Sequence, residues 1–191
     1  MFGVMANVIG ISGSLRAGSL NGALLRAATE LAPAGLTVET ASIRDIPLYD
    51  GDVEKQGIPA AVAALKDRIA GAEGVLLVSP EYNNSVPGVL KNAIDWMSRP
   101  ASDIKRVFAG RPVGVIGASG GPGGTRLSQV AWLPVLRLLG MSFFSGKSVF
   151  VASGDKLVQD GRLSDDKTLE VVKGYMAAFA TFVDHHKGDA R

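Results

Sequence analysis

The chain has 191 residues, 47% hydrophobic and 20% charged, with a formal net charge of +2, a balance that suits one globular domain with a well-filled core. It contains no cysteine, which excludes disulfides, thiol nucleophiles, iron–sulfur clusters and thiolate zinc sites. Its 20 lysines and arginines are scattered rather than gathered into a run or stripe, which argues against a nucleic-acid partner, and no apolar run reaches the roughly 18 residues that a membrane span needs.

The opening MFGVMANVIGIS has neither a basic start nor a cleavage pattern, so it reads as a first strand rather than a leader, in a soluble, cytoplasmic protein. The strand is placed near Asn7–Ser12 and a helix near Leu20–Leu31. Between them lies SGSLRAGSLN, with hydroxyls at Ser12, Ser14 and Ser19, a guanidinium at Arg16 and an amide at Asn21. Glycine-rich backbone running into a helix N-terminus favours an anion. Gly13 and Gly18 are spaced as in a nucleotide-hydrolase phosphate loop, but Ser19 stands where that loop carries lysine. The pattern suits the anchoring of a terminal phosphate monoester, with Arg16 supplying charge. The plainer alternative is a capping segment with Ser19 as the helix cap.

Further strands are expected near Leu36–Ser42, Gly74–Ser79, Pro112–Ala118 and Met141–Val151, the last broken at Gly146. Further helices are expected near Pro59–Gly71, Pro87–Ser98, Arg126–Leu139 and Asp166–His185. GVLLVS and VGVIGA are continuous apolar runs, as a parallel sheet covered on both faces requires. The pattern is therefore a three-layer α/β fold with a five-stranded parallel sheet. Its ligand should sit beyond the carboxyl ends of the strands, against the loops after strands one, three and four.

The third strand ends in SPEYNNSVPGVLKNAIDW, where Pro80 stops the strand and Pro87 suits a first helical turn. Pro80 to Asn83 are read as ligand contacts, whose backbone groups can match the donors and acceptors of a planar heteroaromatic edge. Glu81 could instead be a solvated acid and Tyr82 a packing residue; Trp96 is assigned to the core. The fourth strand runs into GASGGPGGTR, where Ser119, Gly120 and Gly121 begin a loop that lets a flat ring approach closely. In the next helix Pro134 removes a hydrogen bond and is expected to kink or shorten it. SGDKLVQDGRLSDDK reads as a surface excursion, with turns at Ser153-Gly154 and Asp160-Gly161. His185 and His186 are adjacent, which cannot set both on one helical face to grip a metal. With no cysteine and no histidine suited to a cleft, the chemistry points to a bound cofactor.

Together, GSLRAGSLN, SPEYNNSVPGVLKNAIDW and GASGGPGGTR, in this order and at these separations, resemble the NADPH-dependent FMN reductase family, flavodoxin-like enzymes that include bacterial quinone, azo-dye and chromate reductases. The resemblance implies a single flavodoxin-like FMN-binding domain over residues 1–191, with sheet order 2-1-3-4-5. It implies that Ser14, Arg16, Ser19, Leu20 and Asn21 hold the FMN phosphate. Pro80, Glu81, Tyr82 and Asn83 would border the isoalloxazine ring, chiefly through backbone groups, and Ser119, Gly120 and Gly121 would lie along its remaining side. It also implies NADPH or NADH as co-substrate, a ping-pong cycle delivering hydride through FMN to a quinone or similar small acceptor, and assembly as a homodimer or homotetramer. Hydride transfer of this kind needs stacked rings and an electrostatic cradle more than a side-chain acid or base, so no catalytic side chain is assigned. Two other readings stand beside the enzyme: an electron carrier of the flavodoxin type, and a redox-sensing FMN-binding protein. True flavodoxins are associated with a threonine-rich phosphate loop and an acidic surface, whereas here the loop carries Arg16 and the chain is net positive.

Overall fold

The computed structural model describes residues 6–186; residues 1–5, the start of the segment read as a strand in place of a leader, lie outside them. In chain order the elements are β1 (Ala6–Ser12), α1 (Leu20–Glu30), β2 (Leu36–Ala41), α2 (Gly51–Gln56), α3 (Ala60–Ala70), β3 (Gly74–Val78) and α4 (Gly88–Met97). They continue with α5 (Asp103–Val107), β4 (Pro112–Ala118), α6 (Arg126–Leu138), β5 (Ser142–Phe143), β6 (Phe150–Val151), a hairpin of β7 (Val158–Gln159) and β8 (Arg162–Leu163), and α7 (Asp166–His185).

The main sheet is parallel with order β2-β1-β3-β4-β5, and β6 also pairs with β4. This is the expected α/β sheet, including the break at Gly146 in its edge strand. The predicted fifth strand is two short pieces, one beside Pro112 and Val113, the other beside Gly117 and Ala118. Between them the chain turns Phe144 inward, where its ring packs 5.2 Å from Tyr175 and 5.3 Å from Phe182 of α7.

Successive residues of a strand point to opposite faces, and both faces here are covered. Val75 and Leu77 join the side formed with α3, α4 and α6, while Leu76 and Val78 join the side formed with α1 and α7. Every residue of β3 and β4 is buried, which is why these strands read as unbroken apolar runs. Trp96 is core, as expected, with its indole N–H donating to Pro47 O at 2.9 Å.

Proline does not shorten α6, which runs from Arg126 to Leu138 through Pro134. Pro134 and Val130, whose carbonyl loses its partner, are both exposed, so water can take the freed acceptor. The polar excursion folds as the β7–β8 hairpin, its turn made by Asp160 and Gly161 at φ 48° and 73°. The hairpin rests on α1: Arg26 Nη2 donates to Gly161 O, and Arg162 pairs with Glu30 at 2.6 Å.

Candidate functional site

The loops after β1 and β3 meet where the sheet order reverses. Gly13 N–H donates to Val78 O at 2.9 Å, and a β-carbon on Gly13 would stand 2.9 Å from Pro80 Cδ and 3.0 Å from Leu90 Cδ2. Only glycine allows this approach. Beyond the junction lies a cavity of about 370 Å³, within the range of small-molecule sites, about 300–1,000 Å³. All the expected site residues line it except Ser19, Asn83 and Gly121.

One wall is the β1–α1 loop. Ser14 and Arg16 line the cavity, and Arg16 is exposed with no ion-pair or hydrogen-bond partner among the described residues. Arg44 Nη2 donates to Leu15 O and ties the loop down from outside. Ser19 is the N-cap of α1, its hydroxyl accepting Gly22 N–H at 3.1 Å, so its side chain takes the capping role. Ala23 N–H makes the first intrahelical bond, to Ser19 O. The amides of Leu20 and Asn21 remain as open donors at the positive end of the helix. The Asn21 side chain is spent elsewhere: its amide donates to Ala118 O at 2.8 Å and its Oδ1 accepts Ala118 N–H at 2.9 Å, fastening α1 to the end of β4.

The second wall is Pro80, Glu81 and Tyr82. Asn83 and Asn84 both have positive φ, at 50° and 60°, inside a turn closed by Tyr82 and Ser85. That backbone explains the paired asparagines, which tolerate the left-handed region. Beneath Pro80 lies a buried polar network. Trp132 Nε1 donates to Ser79 Oγ at 2.9 Å, Ser79 Oγ is 3.0 Å from Ser128 Oγ, and the Ser128 hydroxyl donates to Pro80 O at 2.9 Å. Glu81 is no idle surface acid, since its carboxylate accepts Ser128 N–H at 3.0 Å. Thr125, the N-cap of α6, makes no side-chain cap bond, so Glu81 serves the helix from across the site. Tyr82 is 46% exposed at the rim.

The third wall is Ala118, Ser119 and Gly120. Ser119 Oγ accepts Gly121 N–H at 3.1 Å and closes the turn, while Gly121 itself does not line the cavity. Sequence reasoning missed two members of the wall, Ala118 and Asp155. Ala118 contributes from a buried strand end; Asp155 follows the last strand of the sheet, and the Ser153-Gly154 turn signal at that strand's carboxyl end was the available clue. Among the described residues, no group of histidine, aspartate and glutamate side chains is arranged to hold a metal ion.

The cavity thus sets exposed cationic charge and open amides at one end, backbone turns along its sides and little side-chain bulk at Ser119–Gly120. Residues 6–156 match the family model for NADPH-dependent FMN reductase. The chain is 41% identical over 182 residues to an NAD(P)H-dependent FMN reductase of Pseudomonas aeruginosa, covering 95% of this chain and 97% of that one. It is 41% identical over 188 residues to a quinone reductase of Escherichia coli, covering 94% and 96%. Among solved structures it resembles FerB, a flavoenzyme NAD(P)H:(acceptor) oxidoreductase from Paracoccus denitrificans, with a TM-score of 0.84, 34% identity, and 95% and 98% of the two chains covered. A match that spans the sheet and all three loops, with relatives alike over nearly their full lengths, makes this chain a member of the NADPH-dependent FMN reductase family.

Proposed function

We propose that this NAD(P)H-dependent flavoenzyme passes reducing equivalents to quinones or similar small acceptors, flavins, azo compounds and chromate among them, with FMN seated in the cavity beyond β1, β3 and β4. The observation that carries the reading is the cavity itself, where the open amides of α1, the unpaired Arg16 and the narrow Ser119–Gly120 wall converge. Ser14, Arg16 and the amides of Leu20 and Asn21 would hold the phosphate monoester, a charge-assisted contact at a helix N-terminus. Pro80, Glu81 and Tyr82 would border the ring from one side and Ser119 and Gly120 from the other. When bound, FMN supplies a two-electron donor and acceptor. The chain's part is to orient the ring, neutralise the phosphate and leave an open face for a second planar molecule. One such face serves reductant and oxidant in turn, which gives a ping-pong order.

The working form is a homodimer or homotetramer. Support for a second copy of the chain comes from α6, whose outer side exposes Leu127, Val130 and Leu133 at 51%, 61% and 40%, an apolar strip that a second copy could cover. No described helix is long and apolar enough to cross a membrane, and the reading places the protein in the cytoplasm, where NAD(P)H is available. The test is an absorption spectrum of the purified protein with FMN, under anaerobic NADPH and then a benzoquinone, with sedimentation in parallel. Bleaching of the flavin band followed by rapid recovery is expected. Bound flavin that NADPH leaves oxidised would overturn the reductase in favour of a carrier or sensor.

A further inference from the structure

We propose that Asp155, from the loop after the last strand of the sheet, completes the flavin site as the carboxylate that accepts hydrogen bonds from the ribityl hydroxyls; this rests on the FMN reading of the cavity. The backbone holds Asp155 there by construction. Ser153 N–H donates to Gly121 O at 3.0 Å and Gly154 N–H to Ser119 O at 2.9 Å, so the segment is laced to the third wall. Ser153 adopts a left-handed conformation, φ 50° and ψ 37°, which a non-glycine residue holds at some cost. A side chain at Gly120 would collide with the Asp155 Oδ2 oxygen, so glycine there leaves room for the carboxylate. Asp155 is exposed to the cavity and has no hydrogen-bond or ion-pair partner among the described residues.

Of the two carboxylates that line the cavity, Glu81 has one oxygen engaged and Asp155 has neither among the described residues. Asn21 Oδ1 takes Ala118 N–H, Glu81 takes Ser128 N–H, and Ser119 Oγ takes Gly121 N–H. Asp155 is left as the free carboxylate, and an ionised carboxylate only accepts. On FMN the donors are the ribityl hydroxyls and the ring N3–H; the phosphate and the ring carbonyls only accept and would be repelled. Position separates the two kinds of donor. A β-carbon on Gly154 would stand 3.1 Å from Leu20 Cδ1, so the loop packs on the first residue of α1, beside the phosphate cradle. The group bonded directly to that phosphate is the ribityl chain, whereas N3–H lies at the far end of the ring.

The experiment titrates FMN, riboflavin and lumiflavin into the full-length apoprotein and reads flavin fluorescence. Riboflavin lacks the phosphate; lumiflavin lacks phosphate and ribityl chain alike but keeps N3–H. Asp155→Ala is expected to weaken FMN and riboflavin by roughly ten- to a hundredfold, the worth of a hydrogen bond to a charged group, and to leave lumiflavin unchanged. Asp155→Asn, which keeps an acceptor, should recover much of the loss. Equal loss for all three ligands would mean a ring contact or a disturbed loop, and would overturn the assignment. Tighter FMN binding with riboflavin unmoved would also overturn it, by making Asp155 a repulsive neighbour of the phosphate. Arg16→Ala tests the underlying reading separately: it should weaken FMN but not riboflavin, and a uniform or absent effect there would remove the phosphate site whatever Asp155 does.

Discussion

Replacing Glu81 by alanine should destabilise the fold by about 2 kcal/mol through α6, a helix that begins more than forty residues further along the chain. In the sequence Glu81 looks like a ligand contact or a solvated acid. In the structure its carboxylate accepts the N–H of Ser128, the third residue of α6, at 3.0 Å. Thr125 offers no cap bond of its own and Ser128 is fully buried, so no local group or solvent replaces Glu81. Loss of a helix cap costs about 0.5–2 kcal/mol, and loss of an anion beside the positive end of a helix about 0.3–1 kcal/mol more. Glu81→Gln keeps the acceptor and discards only the charge, so it should lose about 0.5 kcal/mol. Urea unfolding followed by far-ultraviolet dichroism measures both. At a slope near 2 kcal/mol/M the alanine variant's midpoint falls by about 1 M and the glutamine variant's by about a quarter of that. If alanine left the midpoint in place, or glutamine proved as damaging as alanine, the capping account would be wrong.

Asn21→Ala removes both hydrogen bonds to Ala118, which should cost about 2–4 kcal/mol and lower Tm by about 4–16 °C in a chain of this size; Asn21→Asp should do no better, because its second oxygen meets the Ala118 carbonyl, and a thermal scan of the two variants checks both statements. Asp103 should stabilise the protein in a pH-dependent way. The hydrogen bond from Lys66, at 2.5 Å and itself buried, holds its carboxyl below the ordinary value of 3.8. A depressed carboxyl contributes stability that is fully present above its unfolded pKa and lost as pH falls through the folded one. Asp103→Asn should therefore cost about 2 kcal/mol at neutral pH, less than for a fully buried pair because Asp103 is partly exposed. The two stability curves should converge only below the ordinary carboxylate range, and a constant gap down to strong acid would contradict the assignment.

The parts of the fold that read clearly in the sequence are those that repeat over enough residues. β3 and β4 are buried on both faces, so their apolar runs needed no periodicity to be recognised. By contrast, α2 and α5 are one to two turns long, and α2 buries none of its residues, so neither leaves a stripe to detect. The break in the edge strand was legible at Gly146, but the inward turn of Phe144 was not, because its place in the α7 aromatic cluster is a tertiary contact. At the cavity, glycine and hydroxyl clusters after β1, β3 and β4 marked the loops. What each side chain does there depended on distant partners: Asn21 reaches Ala118, Glu81 reaches Ser128, and Asp155 is carried in by backbone bonds that any sequence could make.

The double fastening of α1 has a thermodynamic consequence for whatever anion its first turn receives. On the sheet side Asn21 holds the helix to β4, and on the outer side Arg26 and Arg162 hold it to the β7–β8 hairpin. The amides proposed to hold the anion are therefore fixed before it arrives, and its association would lose little conformational entropy there. Affinity for the anion then becomes a gauge of the distant hairpin: loosening Arg162 from Glu30 would let the far wall of the helix fray, and the loss would register as weaker binding at a site the substitution never touches.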